Sequence, residues 1–571
     1  MVSLPNARPR YRPDAPKSRT PRSPGVRGGS PGAGDDLRLY AISFAVFLAA
    51  AVFFFYGLGV FNQDALSRTL DAHNVLSSRD PHLGAIGLAW PPIPTFMRVV
   101  LMPAFDAVGL TEFVGPFTSV IAAAGCVVVL NRILARFGFS AATRGVWIVA
   151  SMANPVLLYH FVNGTAESLF ALLFLFVLHS SLRLREAPER AVIGMGLGAG
   201  GALWVRYEAL AIVGTAVLGF LLMAYLYRRE RAWRGVSRIE SLLVTLAFPS
   251  AFLGALWLLF NWTAQGDPLF FYHGPYSINA APDVAKNAAD HALTYAYGSV
   301  TGTLSYVAER TMQVAFVFPF AAAAAAAVGL LRRDITGTVL ALLTVSTLLL
   351  QAYQTYTGTI APWLRYWVYL PLFTPILLAW LTSAYPFWLR GASMANLVRN
   401  GVVPGLFLLS AVISFQVMGH DDVGADEQLV LDELAGNEQR IEELRAFYPD
   451  RDVLDEVRRH LATTEGLVLV DVQKAAVLIL ESDDAGRLAI NTDRDFDSLL
   501  SQPIGQVDYV LLPDPRGTGV EVQRDAIYTR YPDLYDGAAW LDLDRHFEGE
   551  HLDWRLYRVI DPADVDEDAP D

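Results

Sequence analysis

The chain has 571 residues, 53% of them apolar and only 18% charged, with a formal net charge of −13. Soluble proteins carry roughly 25% charged residues; here runs of about 20 apolar residues, long enough to cross ~30 Å of hydrocarbon, take their place, so a soluble cytoplasmic enzyme is excluded. The charge is also divided, with 30 Lys and Arg against 19 Asp and Glu in residues 1–418, and 14 against 38 in residues 419–571, which predicts two regions in two environments.

Residues 1–37, rich in Pro, Gly, Ser and Arg, read as a disordered cytoplasmic tail. Seven basic residues between Arg8 and Arg27 hold it inside by the positive-inside rule. The apolar stretch that follows, 39–60, is too long for a cleavable signal and reads as a first span running outward. Residues 38–418 are the expected transmembrane domain. After an outer loop at 61–112, further spans are expected near 113–135, 144–162, 166–184, 190–205, 208–227, 241–262, 310–331, 336–354, 366–385 and 401–418, eleven in all. A second outer loop occupies 263–308. With this alternation the basic clusters share the side of the tail: Arg132, Arg136 and Arg144; Arg183, Arg185 and Arg190; Arg228, Arg229, Arg231 and Arg234; Arg332 and Arg333; Arg390 and Arg399. It requires that 92–110, broken by Pro92, Pro94 and Pro103, lies along the outer surface without crossing.

The acidic residues 419–571 read as an extracytoplasmic α/β domain. Strands are expected at 467–471, 476–480 and 507–512, with an edge strand at 554–559. Its charge would repel phosphate, which excludes nucleic acid as a partner. Cys126 is the lone cysteine, so no intrachain disulfide forms.

Candidate chemistry lies in the outer loops. Asp64, just past the first span, sits where a carboxylate is partly desolvated and can act as a base; as a plain structural element it would be a helix N-cap. Asp71 and His73, further along the same amphipathic stretch, read as helix-surface residues. Trp90-Pro91-Pro92 opens the surface helix, as prolines at a first turn do. Asn163-Gly-Thr-Ala-Glu167 lies at an outer turn, where Glu167 also suits a helix N-terminus. Arg206 and Arg365 sit at outer span ends, where each could hold a lipid phosphate or anchor its helix at the interface; Arg206 could equally pair with Glu208. Asp493-Arg-Asp495, Asp495-Phe-Asp497 and Asp542-Leu-Asp544 are expected by chance among so many acids. Asn163-Gly-Thr and Asn261-Trp-Thr match the glycosylation sequon with no further support.

The order of these features resembles the GT-C fold glycosyltransferases, which include the aminoarabinose and protein O-mannosyl transferases. The resemblance rests on Asp64 after the first span, the Pro-Pro opening of the next outer helix, Glu167, Gly266-Asp267-Pro268-Leu and Arg365-Tyr366 before a proline-containing span, and covers residues 20–420. It implies a mainly α polytopic core, a sugar donor on a polyprenyl phosphate, and an extracytoplasmic glycan, lipid or protein acceptor. It implies Asp64 as the catalytic base, with Arg365, Arg206, Glu167, His73 and Tyr366 on the substrate side. The family's usual acidic pair is broken here, because Ala65 follows Asp64; no cofactor is assigned, and a divalent cation stays open. The expected location is the plasma membrane, with the N-terminus cytoplasmic. The competing classes are a transporter or flippase of a lipid-linked intermediate, disfavoured by the absence of an internal repeat and of midplane charge, and a scaffold whose working part is the outer domain.

Overall fold

The computed structural model describes residues 31–230, 233–274, 293–384 and 392–561. The tail through residue 30, Arg231, Arg390, residues 275–292 of the second outer loop and residues 562–571 lie outside these.

Helix α1 (Ala33–Val52) continues through a π turn at Phe53–Gly57. Helix α2 (Gln63–Ser77) is capped by Asn62, whose side-chain oxygen accepts from the Ala65 amide at 3.3 Å. Helix α3 (Ile93–Asp106) opens on Pro92 and Pro94; its 14 residues reach about 21 Å, too short to cross. The bundle then proceeds through α4 (Val114–Arg136), α5 (Ala141–Met152), α6 (Pro155–Val162), α7 (Glu167–Ser181), α8 (Pro188–Leu203), α9 (Ala209–Tyr227) and α10 (Val236–Gln265). It ends with α11 (Val300–Ala315), α12 (Phe318–Arg332), α13 (Thr336–Thr357), α14 (Leu370–Ala384) and α15 (Val403–Val417).

Two expected straight spans are broken. The segment 144–162 bends by 81° between α5 and α6, and 310–331 is divided by a 103° bend between α11 and α12. Each second helix has proline in its first turn, Pro155 and Pro319, where the missing N–H and the ring end the preceding helix. Among the described residues seven helices are long and apolar enough to cross a membrane, or nine if each bent pair is one span. Eleven therefore exceeds what length and composition support: α7 and α8 are helical as expected but have only 15 and 16 residues. In α8, Gly196 and Gly200 face the α10 backbone so closely that a Cβ would stand 2.7 Å from Leu246 O and 3.0 Å from Pro249 C. Small residues at this spacing let helices pack without a hydrophobic drive.

The basic loops gather at one end of the bundle. Arg132 binds Asp36 at 2.7 Å, Arg136 binds Glu186 at 2.9 Å and Arg185 binds Glu230 at 3.0 Å. Tyr227 donates to Arg333 O at 3.1 Å and Thr143 to Asn400 at 2.8 Å. The tail-proximal end of α1 and the five loops read as basic clusters are thus joined by direct contacts.

After residue 418 come α16 (Ala425–Ala435), α17 (Arg451–Leu461), α18 (Val472–Glu481) and a five-stranded sheet ordered β2-β1-β3-β5-β4. Its strands are β1 (Val468–Leu469), β2 (Leu488–Ala489), β3 (Tyr509–Pro513), β4 (Leu541–Phe547) and β5 (Trp554–Val559). β1 runs parallel to β2 and β3, and β5 is antiparallel to both its neighbours. Two expectations are corrected here. Residues 476–480 are helical, because Asp471 caps α18 by accepting from the Gln473 amide at 2.8 Å, and the all-apolar run is buried as a helix rather than a strand. β5 is interior, and the edges are β2 and β4, the latter with exposed Asp542 and Asp544 that suit an unpaired side. One apolar core runs without a break from Phe47 of α1 through Val430, Leu454 and Ile479 to Leu556 of β5. The change at 418 is one of charge and element type, while the packing is continuous across it.

Candidate active site

Asp64 is the second residue of α2. Because Asn62 takes the capping role, the Asp64 carboxylate is free to leave the helix end. Its Oδ2 accepts from Arg365 Nη1 at 2.6 Å, 301 residues away in the chain. Asp64 keeps 39% of its side-chain surface and Arg365 only 10%, so the pair has an enclosed cationic half and an accessible anionic half. The Arg365 guanidinium lies 4.0 Å over the Trp363 ring and 5.5 Å from the Tyr366 ring centroid, which fixes its plane. Its Nε is buried and has no hydrogen-bond partner among the described residues.

Both residues line a cavity of about 480 Å³. Its floor comes from α2 and the turns at 87–90 and 363–365, and its roof from residues 425–427, 447–448, 472–474 and 519–524 of the acidic region. Two devices hold α2 in place. The buried Arg98 of α3 donates to Ala65 O at 2.5 Å, to Thr69 Oγ1 at 3.2 Å, and to Gly164 O. Gly164 adopts φ +91°, and a Cβ there would stand 2.9 Å from that of Ala65, so only glycine allows this approach. On the roof side Asn62 donates to Asp426 at 2.9 Å, Tyr159 donates to the same carboxylate at 3.1 Å, and His160 meets Glu427 at 2.9 Å.

The other expected site residues divide. Arg206 binds Glu208, Nε to Oε1 at 2.9 Å, and also Glu167; both charges act on Arg365, but neither Arg206 nor Glu167 lines the cavity. Tyr366 is buried against Arg365 and is likewise outside the lining. His73 is buried, its Nδ1 has no hydrogen-bond partner among the described residues, and it is outside the cavity lining. Nine residues after Asp64 at about 100° each, it lies on the opposite face of α2.

Asp71 lies on the cavity face instead. Seven residues, close to two full turns, separate it from Asp64, and both line the cavity. No hydrogen bond or ion pair of its carboxyl is present among the described residues. Burial pushes its pKa up to about 8, against the opposing pull of Arg68 and Arg98. Sequence reasoning placed Asp71 on the helix surface; its i, i+7 relation to Asp64 was the available signal. The spacing is about 10 Å along the axis, too far for one metal ion to bridge. Among the described residues no group of three or more His, Cys, Asp or Glu could hold a metal.

Asp493 and Asp495 form a clasp. Arg79 binds Asp493 at 3.0 Å and also Asp495, while Asp80 binds Arg494, so the first outer loop is fastened to the acidic region. Both sequon asparagines, Asn163 and Asn261, are buried.

No protein-family model matches the chain, and no curated protein does. Among the solved structures that match are two of ArnT from Cupriavidus metallidurans, one bound to undecaprenyl phosphate and one in the apo state, each aligned over nearly its whole length. Their TM-scores are 0.52 and 0.51 and their identities 14% and 13%, and each alignment covers 92% of this chain and 98% of ArnT. The chain has an ArnT-like fold.

Proposed function

We propose that the protein is a membrane glycosyltransferase that moves a sugar from a polyprenyl-phosphate donor to a hydroxyl of an extracytoplasmic acceptor. The observation that carries this reading is the 2.6 Å contact between Asp64 and Arg365 in the cavity wall. ArnT, whose fold this chain shares, was crystallised with undecaprenyl phosphate. With the basic loops cytoplasmic, this cavity opens on the outer face of the plasma membrane, where the donor must be lipid-linked.

In the step itself Arg365 holds Oδ2 of Asp64 and leaves Oδ1 to accept the proton of the acceptor hydroxyl. The acceptor oxygen bonds to the anomeric carbon from the face opposite the phosphate, and the bond from that carbon to the phosphate oxygen breaks, with inversion. The departing phosphate takes the negative charge, and the Nε of Arg365, without a hydrogen-bond partner among the described residues, is a charged donor for it. Glu167, Arg206 and Tyr366 position Arg365 from behind, and the acidic region closes the acceptor side.

The test is Asp64→Asn, which keeps the size and the contact to Arg365 but cannot take a proton. With labelled polyprenyl-phosphate sugars and membranes containing the protein, transfer should fall by ~10²–10⁴ with folding intact. An active Asn variant would remove Asp64 as the base, and movement of label across the bilayer without product would favour the transporter.

A further inference from the structure

The cavity has a second charged wall that the step at Asp64 does not use. Most charged side chains lining it are engaged within the described residues: Asp64 with Arg365, Asp426 with Asn62 and Tyr159, and Glu427 with His160. Lys474, on the first turn of α18, has no hydrogen bond or ion pair there. The same cavity lining holds three polar atoms that are buried and unsatisfied among the described residues: Thr492 Oγ1, Gln473 Oε1 and Arg524 Nε. Arg524 Nε stands 2.9 Å from Glu521 Oε2 without the alignment of a hydrogen bond, and that oxygen is unsatisfied as well.

We propose that Lys474, with Arg524 and Thr492 of the same cavity lining, is a subsite for an anionic group, phosphoryl or carboxylate, carried by the acceptor. A half-buried ammonium held in no direct ion pair is costly; Glu521 of the same lining acts on it electrostatically, but among the described residues no carboxylate forms a salt bridge with it. Asp71 lines the same cavity without an ion pair to Lys474 among the described residues. Burial also lowers the Lys474 pKa, opposed by Glu521. Gly519, at φ +71°, leaves the ammonium its room: a Cβ there would stand 2.9 Å from Nζ. An entering oxyanion supplies what this wall lacks, acceptors for an ammonium, a guanidinium N–H and a hydroxyl.

Naming the anion's carrier as the acceptor rests on the transferase reading; the anion site itself does not. The chain contains only three lysines, Lys17, Lys286 and Lys474, so amine acetylation read by mass spectrometry reports on the site with two internal controls. On the full-length protein in nanodiscs, inorganic phosphate should slow acetylation of Lys474 alone, about threefold at twice its dissociation constant, against sodium chloride of matched ionic strength. Arg524→Gln should raise the phosphate concentration needed. Undecaprenyl phosphate without inorganic phosphate should leave Lys474 labelling unchanged, because that headgroup belongs at Arg365. Equal labelling of Lys474 with and without phosphate overturns the anion site. Protection by undecaprenyl phosphate overturns the acceptor assignment and gives the wall to the donor. If phosphate protects Lys474 while the wild type turns over no polyprenyl-phosphate sugar, the transferase reading fails and the anion site stands; turnover without protection sinks only the subsite.

Discussion

Asp71 allows the sharpest physical test, because its two readings predict opposite signs. It lies between Arg68 and Arg98, the position of a counter-ion, yet burial outweighs both and raises its pKa from 3.8 to about 8. A carboxyl whose folded pKa lies above its unfolded value adds full stability only below the unfolded value, and that stability drains away as pH rises toward the folded one. The window is therefore pH 4 to 8, with no further change above it. At pH 7 the deficit spans about three units at ~1.4 kcal/mol each, so about 4 kcal/mol is the ceiling, and about half that is expected once the carboxyl's opening to the cavity is counted. Asp71→Asn removes the titration without changing the shape. Unfolding of detergent-solubilised wild type and variant, followed by intrinsic fluorescence at pH 5, 7 and 9, should show a gain for the variant that grows from pH 5 to 8 and then levels off. A variant less stable than wild type at pH 8, or a difference constant across the range, would mean that Asp71 is ionised as the counter-ion of Arg68 and Arg98 and would refute the argument.

Further outcomes follow from the supports of the site. Arg98→Leu strips hydrogen bonds from two buried carbonyls and should cost about 3–5 kcal/mol; in a variant that still folds, kcat should fall more than donor KM rises, because α2 and Asp64 lose their register. The clasp at Arg79, Asp80 and residues 493–495 is more exposed: a double-mutant cycle between Asp80 and Arg494 should give a coupling of about 0.2–1 kcal/mol that shrinks with salt, and a value unaffected by 0.5 M salt would contradict a surface electrostatic contact.

Part of the site was legible in one dimension. Asp64 and Arg365 each stand at the end of an apolar run, so hydropathy alone brings them to the membrane boundary, and the structure joins them across 301 residues. Asp71 and Lys474 were not legible in that way. Asp71 is one acid on an amphipathic stretch, and its burial comes from the loop at 83–88 and from α3 folding over it; Lys474 is one base in a strongly acidic region, and only the cavity shows that no acid of the described residues forms a direct ion pair with it.

The amino-acid order alone determined a chain of long apolar helices, basic loops on one side and an acidic region of mixed structure, because periodicity, length and charge are local quantities that solvent and lipid read segment by segment. Only the tertiary structure decided that Asn62 rather than Asp64 caps α2, that 476–480 is a helix, that β5 is interior and that His73 faces away from the cavity. Each of these depends on which partner a side chain meets across the fold, and a short apolar run or a lone polar residue fits more than one partner until packing selects it.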